Sequence, residues 1–166
     1  MHELTEKVKL LQKCVVFCQG KLLLVKRSET AKTRPNCWDL PGGNAEWPKT
    51  ATNLSNHHLL EVIREVQEET GLRLKAADLE SCYVGTFFDT KNQVLSIILG
   101  WSTKIATLPE VKLSPEHTEF AWISENQFKQ YDFGFAGKKN GFIRQMIEQS
   151  FEKLDSRGHG YVGCGH

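Results

Sequence analysis

The segment that decides the fold is residues 64–72, which read Arg64-Glu65-Val66-Gln67-Glu68-Glu69-Thr70-Gly71-Leu72. Three carboxylates fall within five consecutive positions. At about 100° per residue, an α-helix through this segment places the glutamates within an arc of roughly 100°: Glu61, Glu65, Glu68 and Glu69. The opposite side is mostly apolar and holds Leu59, Val62, Ile63, Val66 and Thr70. The pattern predicts an amphipathic helix with one acidic face.

The acidic face of this helix favours a bound cation. Like charges three or four residues apart repel by about a few tenths of a kcal/mol per pair, so stability alone would place a lysine or arginine among them. Clustered carboxylates suit a hard divalent ion such as Mg²⁺ or Mn²⁺, which takes oxygen ligands. The alternative interpretation is the solvated face of an ordinary surface helix.

Two glycine turns favour a cation-binding site over the solvated face of an ordinary surface helix. Gly71 stands where a left-handed C-cap is expected, so the helix ends directly after the carboxylates. Pro41-Gly42-Gly43 follows the strand-like residues 38–40, and glycine lets backbone carbonyls approach an ion or a phosphate closely. The two turns predict that a loop and a helix end meet at one site.

With these residues the chain resembles the Nudix hydrolases, whose signature is G-x5-E-x7-R-E-U-x-E-E-x-G-U, where U is aliphatic. The second half of the signature matches at every fixed position: Arg64, Glu65, Val66, Glu68, Glu69, Gly71 and Leu72. The first half departs from it. Asn56 stands where the family usually has glutamate, and Gly43 lies 21 residues before Arg64 (64 − 43), more than is usual. We interpret residues 44–55 as an enlarged loop.

The resemblance implies a fold and an activity. The fold is an α/β/α sandwich with a mixed β-sheet, as one domain over residues 1–155. Separately, the glycine-rich composition of residues 156–166 predicts a flexible tail. The activity is metal-dependent hydrolysis of the pyrophosphate link in a nucleoside diphosphate joined to another group, with nucleoside triphosphates or modified nucleotides the leading substrates. Nucleotide sugars such as ADP-ribose are the alternative substrate class. A catalytically weakened nucleotide-sensing or interaction domain is the rival function.

The resemblance also assigns roles to residues. Mg²⁺ or Mn²⁺ is expected on Glu65, Glu68, Glu69 and the carbonyl of Gly42. Either Glu65 or Glu116 is expected to act as general base, with Glu119 as an alternate to Glu116. Arg64 is expected to orient a glutamate through a charge-assisted hydrogen bond, with contact to a phosphate as the alternate role. His117 is expected to form a loop hydrogen bond.

The remaining hydrophobic periodicity predicts the other elements. Strands are expected at residues 14–18 and 21–26, joined at Gln19-Gly20, and at 38–40, 81–89, 94–104 and 120–123. The signature helix is expected at 56–70, a short helix capped by Ser124 and Gln127 should follow the last strand, and a final helix should span about 142–154. Residues 114–119 are expected to form a loop.

Aromatic residues on these strands and loops are candidates for stacking on a nucleobase. Phe87, Trp101 and Phe133 are the candidate substrate contacts, and Phe88 and Phe135 belong to the same set. Core packing explains most of them equally well. Trp47, in the enlarged loop, is a candidate to close over the ligand.

Composition bounds the class of protein. The chain has 166 residues, 40% hydrophobic and 25% charged, with a net charge of +1. A basic surface for a nucleic-acid polymer is therefore not expected, and no apolar run is long enough for a membrane span. The polar residues 1–9 are unlike a signal peptide, so we expect a cytoplasmic enzyme with a small-molecule substrate.

The five cysteines lack zinc spacing and are expected to be reduced. The oligomeric state stays open, with a homodimer possible.

Overall fold

A computed structural model describes residues 7–46 and 55–158. One sheet holds β1 (Val8–Cys18), β2 (Lys21–Arg27), β3 (Trp38–Asp39), β4 (Glu80–Asp89), β5 (Val94–Ile105) and β6 (His117–Ile123). The helices are α1 (His57–Thr70) and α2 (Phe142–Gly158). Short 3₁₀ helices cover Ala76–Asp78, Glu125–Gln130 and Gly134–Gly137. The expected α/β class with a mixed sheet is confirmed.

The strand order is β3-β2-β1-β5-β4, with β6 paired to β2. β1 runs parallel to β5 along its whole length, whereas the other pairs are antiparallel. The hairpin between β1 and β2 turns at Gln19 and Gly20, which have φ values of 50° and 74°. β1 pairs with β2 only next to this hairpin. Nearer the N-terminal end of β1, the Pro41-Gly42-Gly43 turn lies beside the strand in place of β2.

Each face of the sheet has its own hydrophobic core. α2 covers one face, where Val15 and Phe17 of β1 pack with Met146, Ile147 and Phe151. α1 covers the other face, where its buried residues Val62 and Val66 pack with Cys14, Val16 and Leu23. Alternate residues of β1 thus enter different cores, as the two-residue period of a strand requires. Neither helix is long and apolar enough to cross a bilayer within the described residues.

The main deviations from the sequence-based elements lie at their ends. β1 begins at Val8 instead of residue 14, because its first half pairs with β5. β6 begins at His117, so the expected loop ends at Glu116. The helix after Ser124 is a 3₁₀ helix, and the Ser124 N–H donates to Gln127 Oε1 at 2.9 Å. α2 continues to Gly158, three residues into the expected tail.

Three predictions fall partly outside the described residues: the enlarged loop, the tail and the state of the five cysteines. Most of the enlarged loop, including Trp47, falls in residues 47–54. The tail from 159 to 166 includes Cys164. Among the described cysteines, Cys14, Cys18, Cys37 and Cys82 are free thiols, and Cys14 and Cys18 are buried in β1.

Candidate active site

Arg64 lies at the centre of the acidic face of α1. Its Nη2 is 2.7 Å from Glu65 Oε1 and 3.0 Å from Glu61 Oε2, and its Nη1 is 2.8 Å from Glu68 Oε2. The expectation that this face lacks a cation of its own is therefore wrong. Spacings of three and four residues place Glu61 and Glu68 on either side of the guanidinium, whose forked donors reach several carboxylates. The predicted hydrogen bond from Arg64 to a glutamate is present.

The Pro41-Gly42-Gly43 turn touches two glutamates of α1. The Gly42 N–H donates to Glu69 Oε2 at 2.8 Å. A Cβ on Gly43 would lie 2.7 Å from Glu65 Oε2, so a larger residue there would displace the Glu65 carboxylate from its present position. Gly42 has φ +131°, and a Cβ there would lie 2.3 Å from the Gln12 carbonyl oxygen. The sequence correctly predicted that this turn meets the carboxylates.

The C-terminal end of α1 is fixed as the sequence predicted. Gly71 adopts the left-handed conformation with φ 75°, and its N–H donates to the Gln67 carbonyl at 2.8 Å. The N-terminal end differs in one respect. Asn56 occupies the N-cap position, but its side chain forms no capping hydrogen bond. Gln12 of β1 contacts the first turn of α1 at a carbonyl: its Nε2 donates to His58 O at 2.6 Å.

Glu61 is a site residue to which sequence analysis gave no role. Its Oε2 accepts the Glu46 N–H at 2.9 Å, so it ties the start of the enlarged loop to α1. The hydrogen bond from Arg64 is the largest of the influences that hold the pKa of Glu61 below its ordinary value. The sequence feature that could have indicated this role of Glu61 is its spacing of three residues from Arg64, which places the two side chains next to each other on a helix.

A buried cluster of charges lies beneath the turn. Asp39 is fully buried, and its Oδ2 accepts from Lys13 at 3.0 Å, Arg34 at 2.7 Å and Arg27 at 3.1 Å. The Lys13 ammonium also donates to the Gly42 carbonyl oxygen at 3.1 Å. This is the carbonyl predicted to bind metal, and it retains a second lone pair. Sequence analysis missed the cluster because its members are far apart in the chain.

The glutamates that touch the turn have raised pKa values. Burial raises the pKa of Glu69 to about 7, against the opposing effects of Lys13 and the Gly42 N–H. Burial also raises the pKa of Glu65, with Arg64 opposing and Glu68 and Glu116 adding to the rise. Burial therefore disfavours the charged form of both carboxylates, and a bound cation would offset this effect.

His117 lies on β6 in the interior, with Nε2 4.0 Å from Glu69 Oε1. Burial, with Lys13 nearby, lowers the pKa of His117 to about 4, so its ring is neutral at pH 7. Its Nδ1 is buried and forms no hydrogen bond within the described part of the chain. The loop hydrogen bond expected for this side chain is not found there.

The two candidate acids before β6 have different environments. Glu119 forms an ion pair with Lys26 at 2.6 Å on the surface. Glu116 is exposed, and its charge contributes to the raised pKa of Glu65. Its carboxylate makes no hydrogen bond or ion pair with residues in the ranges 7–46 and 55–158. Glu116 is thus the member of the pair whose charge acts on Glu65.

The three aromatic candidates lie in separate places. Phe133 is buried in the core on the α2 side, and its carbonyl accepts from Arg34. Trp101 packs on the α1 side, where its Nε1 donates to Gln12 Oε1 at 2.9 Å. Phe87 is 57% exposed on β4. Phe133 and Trp101 have packing roles, and the structure does not gather the three into one stacking pocket.

The donor chemistry of the site fits a hard divalent ion, although the carboxylates have other partners in this arrangement. The described residues contain no group of three or more Asp, Glu, His or Cys side chains spaced to hold one ion. Glu65 and Glu68 are bound to Arg64, and Glu69 is bound to Gly42. The Glu68 side chain is 59% exposed and can rotate away from Arg64. Such oxygen donors are the ligands of Mg²⁺ and Mn²⁺.

Comparison with known families decides the class of this site. A sequence model of the NUDIX domain matches residues 12–146, from β1 into α2. The chain belongs to the Nudix family. Membership confirms the motif-based identification and the expected enzyme class, a Nudix pyrophosphohydrolase that acts on nucleotide derivatives.

Relatives of this Nudix domain support the same fold. The nucleoside triphosphatase NudI of Escherichia coli O139:H28 is 24% identical over 135 residues, which cover 77% of this chain and 90% of NudI. The MutT protein of Methanosarcina mazei Go1 superposes with a TM-score of 0.62 at 23% identity, over 95% of this chain and 99% of that chain. The Nudix domain of Shewanella oneidensis NrtR, in complex with ADP-ribose, gives a TM-score of 0.65 at 19% identity, over 87% of each chain.

Proposed function

We propose that this Nudix domain hydrolyses the pyrophosphate link of nucleoside triphosphates with Mg²⁺ or Mn²⁺ as cofactor. The observation that carries the proposal is the contact of the Pro41-Gly42-Gly43 turn with the carboxylates of both Glu65 and Glu69. A diphosphate link carries several negative charges, which repel an attacking hydroxide. Cleavage therefore needs positive charge next to the phosphate oxygens. Similarity to the nucleoside triphosphatase NudI supports the substrate class.

We assign the metal to Glu65, Glu68 and Glu69, together with the free lone pair of the Gly42 carbonyl. When bound, a divalent ion supplies positive charge to the phosphate oxygens and acidifies water. Arg64 holds Glu65 and Glu68 on one side of α1, and Gly42 holds Glu69 against the turn. Fixing these carboxylates in advance lowers the cost of assembling the site.

For the general base we propose Glu116. A base must have a lone pair free to accept the proton of water. The carboxylate of Glu65 accepts a hydrogen bond from Arg64 at 2.7 Å, whereas Glu116 is exposed and its charge acts on Glu65. Glu65 is the alternative base. Replacement of Glu116 by Gln should lower kcat by orders of magnitude, and Glu119→Gln is the matched control because its ion pair with Lys26 lies outside the site.

The second candidate function is a nucleotide-sensing domain that binds ADP-ribose without efficient turnover. Asn56, in place of the usual glutamate, and the neutralising contacts of Arg64 with three glutamates favour it. The NrtR domain, which has a similar fold, binds ADP-ribose in its crystal structure, and this supports a nucleotide derivative of that class as the ligand. ADP-ribose is also the alternative substrate, so the same compound tests both.

One experiment separates these functions. The protein is incubated with Mg²⁺ and a panel of nucleoside triphosphates, diphosphates and ADP-ribose, and released phosphate, pyrophosphate and, from ADP-ribose, AMP are measured separately. Calorimetry measures binding of the same compounds. Triphosphate hydrolysis supports the proposal. Binding of ADP-ribose with no hydrolysis of any compound supports the sensing domain and contradicts the proposal.

A further inference from the structure

β4 forms one open edge of the sheet. Among the described strands it pairs with β5 alone, so its outer backbone groups face no other described strand. Natural proteins usually protect such an edge with charged residues, proline or a β-bulge, because an open edge can pair with another chain. β4 has no charged residue and no proline from Ser81 to Phe88, and its register shift lies at its start, before an unbroken segment from Tyr83 to Asp89. This edge is therefore suited to pair with a further strand.

Large apolar side chains are exposed along this edge on both faces of the sheet. Val84 is 69% exposed, Phe87 57% and Phe88 43%. Gly85 pairs with Ile98, which lies in the core under α2, so Gly85 is on the α2 face. Because side chains alternate along a strand, Phe87 shares that face, whereas Val84 and Phe88 lie on the α1 face. Three exposed apolar groups within five positions are typical of an interaction surface.

We propose that β4 is a homodimer interface, in which it pairs antiparallel with β4 of a second copy and joins the two sheets into one. A two-fold axis through Thr86, perpendicular to the sheet, makes this contact isologous. Val84 of each copy then lies opposite Phe88 of the other on the α1 face, and Phe87 lies opposite Gly85 on the α2 face. Pairs of an aromatic with a β-branched residue stabilise neighbouring strands.

The surroundings of Gly85 fit this register. The atoms nearest to a Cβ built on Gly85 belong to the Tyr83 ring and its hydroxyl, so the Tyr83 side chain lies over this glycine. Phe87 of the second copy would therefore meet an aromatic ring, and aromatic pairs are favourable in edge-to-face or offset arrangements. The same strand thus carries both halves of the contact, which favours a second copy as the partner.

The charges at the two ends of β4 are also complementary. Asp89 ends the strand. Lys153 lies at the other end, where its ammonium donates to the Ser81 carbonyl at 2.6 Å, and Arg157 neutralises Glu80 there. Antiparallel pairing brings each Asp89 toward the Lys153 end of the second copy, whereas parallel pairing would place the two Asp89 carboxylates side by side. The charges therefore favour the antiparallel dimer.

The first test is the mass of the protein in solution, measured by sedimentation equilibrium over a series of concentrations. We expect wild type to have twice the 18.9 kDa mass of the chain. Thr86→Lys should raise the dimer Kd at least about tenfold, because the two-fold axis places the two ammonium groups opposite each other. Thr118→Lys, the same change at an exposed residue of β6, should keep the wild-type Kd. A monomeric wild type, or an unchanged Kd in Thr86→Lys, overturns the proposal.

The second test is the register, measured by disulfide formation from single cysteine variants under mild oxidation. Thr86→Cys should cross-link, because residues opposite each other in antiparallel strands have Cα atoms about 4.5–5.5 Å apart, within the reach of a disulfide. Val84→Cys should not, because the two copies of residue 84 lie four residues apart along the strands. Wild type, with its native cysteines, sets the background. No cross-link from Thr86→Cys above this background contradicts the register.

A further variant keeps the test decisive if Thr86→Lys does not fold. Val84→Lys changes a side chain that is 69% exposed and outside both cores, and it should weaken the dimer in the same way. A wild-type Kd in this variant contradicts the proposal. If a different protein is the partner of β4, wild type is monomeric, and this result also overturns the proposal. Neither test needs metal or substrate, so the dimer is judged separately from the proposed function.

Discussion

The backbone N–H of Gly42 donates to Oε2 of Glu69 at 2.8 Å, and both residues are buried. This bond joins the loop after β3 to the last turn of α1. It brings the two halves of the sequence signature together, although an enlarged loop separates them in the chain. The acidic end of α1 is thereby held against a backbone turn, where phosphate and metal chemistry is expected.

Glu69→Gln and Glu68→Gln are expected to lower turnover by orders of magnitude, because each removes a proposed ligand charge. Their effects on stability should differ. Since burial raises the pKa of Glu69 from 4.5 to about 7, ionisation of this group lowers the stability of the metal-free fold progressively between these pH values, and Glu69→Gln should be more stable than wild type at pH 8. Glu68 is exposed, so Glu68→Gln should unfold like wild type. Steady-state kinetics and denaturant unfolding without metal measure both effects, and wild-type rates in both variants would place the site elsewhere.

Arg64→Lys is expected to lose most of the activity while keeping the charge. A lysine ammonium cannot bind Glu61, Glu65 and Glu68 with the forked geometry of the guanidinium. The change in unfolding free energy should stay within about 1 kcal/mol, because the Arg64 side chain is about a third exposed. Rates and denaturation of Arg64→Lys test this, with Arg144→Lys, which changes the surface pair with Glu148 on α2, as control. Full activity of Arg64→Lys would contradict a role in orienting the carboxylates.

Asp39→Asn is expected to destabilise the fold by about 3–5 kcal/mol at pH 7, because it leaves buried cations without a counter-charge. Burial alone would raise the pKa of Asp39, but Lys13, Arg34 and Arg27 hold it below its ordinary value of 3.8. The stabilisation is therefore complete above pH 3.8 and is lost as the pH falls through the lowered value. Urea unfolding of both proteins from pH 7 to pH 2 measures it. A difference between them that does not shrink below pH 3.8 would contradict this account.

Asn56→Ala is expected to leave both activity and stability nearly unchanged. An N-cap side chain that bonds the first turn typically contributes about 1 kcal/mol, but Asn56 forms no such bond, so the loss should be well below that. Asn56→Glu should be tolerated, because a carboxylate is favourable at the positive end of α1. Thermal unfolding and turnover of both variants test this. An inactive wild type that Asn56→Glu activates would support the sensing domain instead.

The features that could be predicted from the sequence are those that depend on the spacing of residues close together in the chain. The helical period of residues 59–70 and the position of Gly71 were enough to place α1 and its end. The glycine pair was predicted to let backbone carbonyls approach an ion or a phosphate, and the turn lies against Glu65 and Glu69. Lys13 and Asp39 could not be paired in advance, because they are 26 residues apart and the fold alone brings them together. The length of β1 was missed for the same reason, since its first half is defined by parallel pairing with β5.

The most direct test of the account is nucleoside triphosphate hydrolysis by wild type in Mg²⁺, compared with the same reaction in excess chelator. Arg64 balances part of the acidic face, yet three glutamates share its one guanidinium, so we expect a divalent ion to be required. The account predicts release of phosphate or pyrophosphate with Mg²⁺, none with chelator, and a higher Tm when the ion is bound. Full hydrolysis in excess chelator would contradict it.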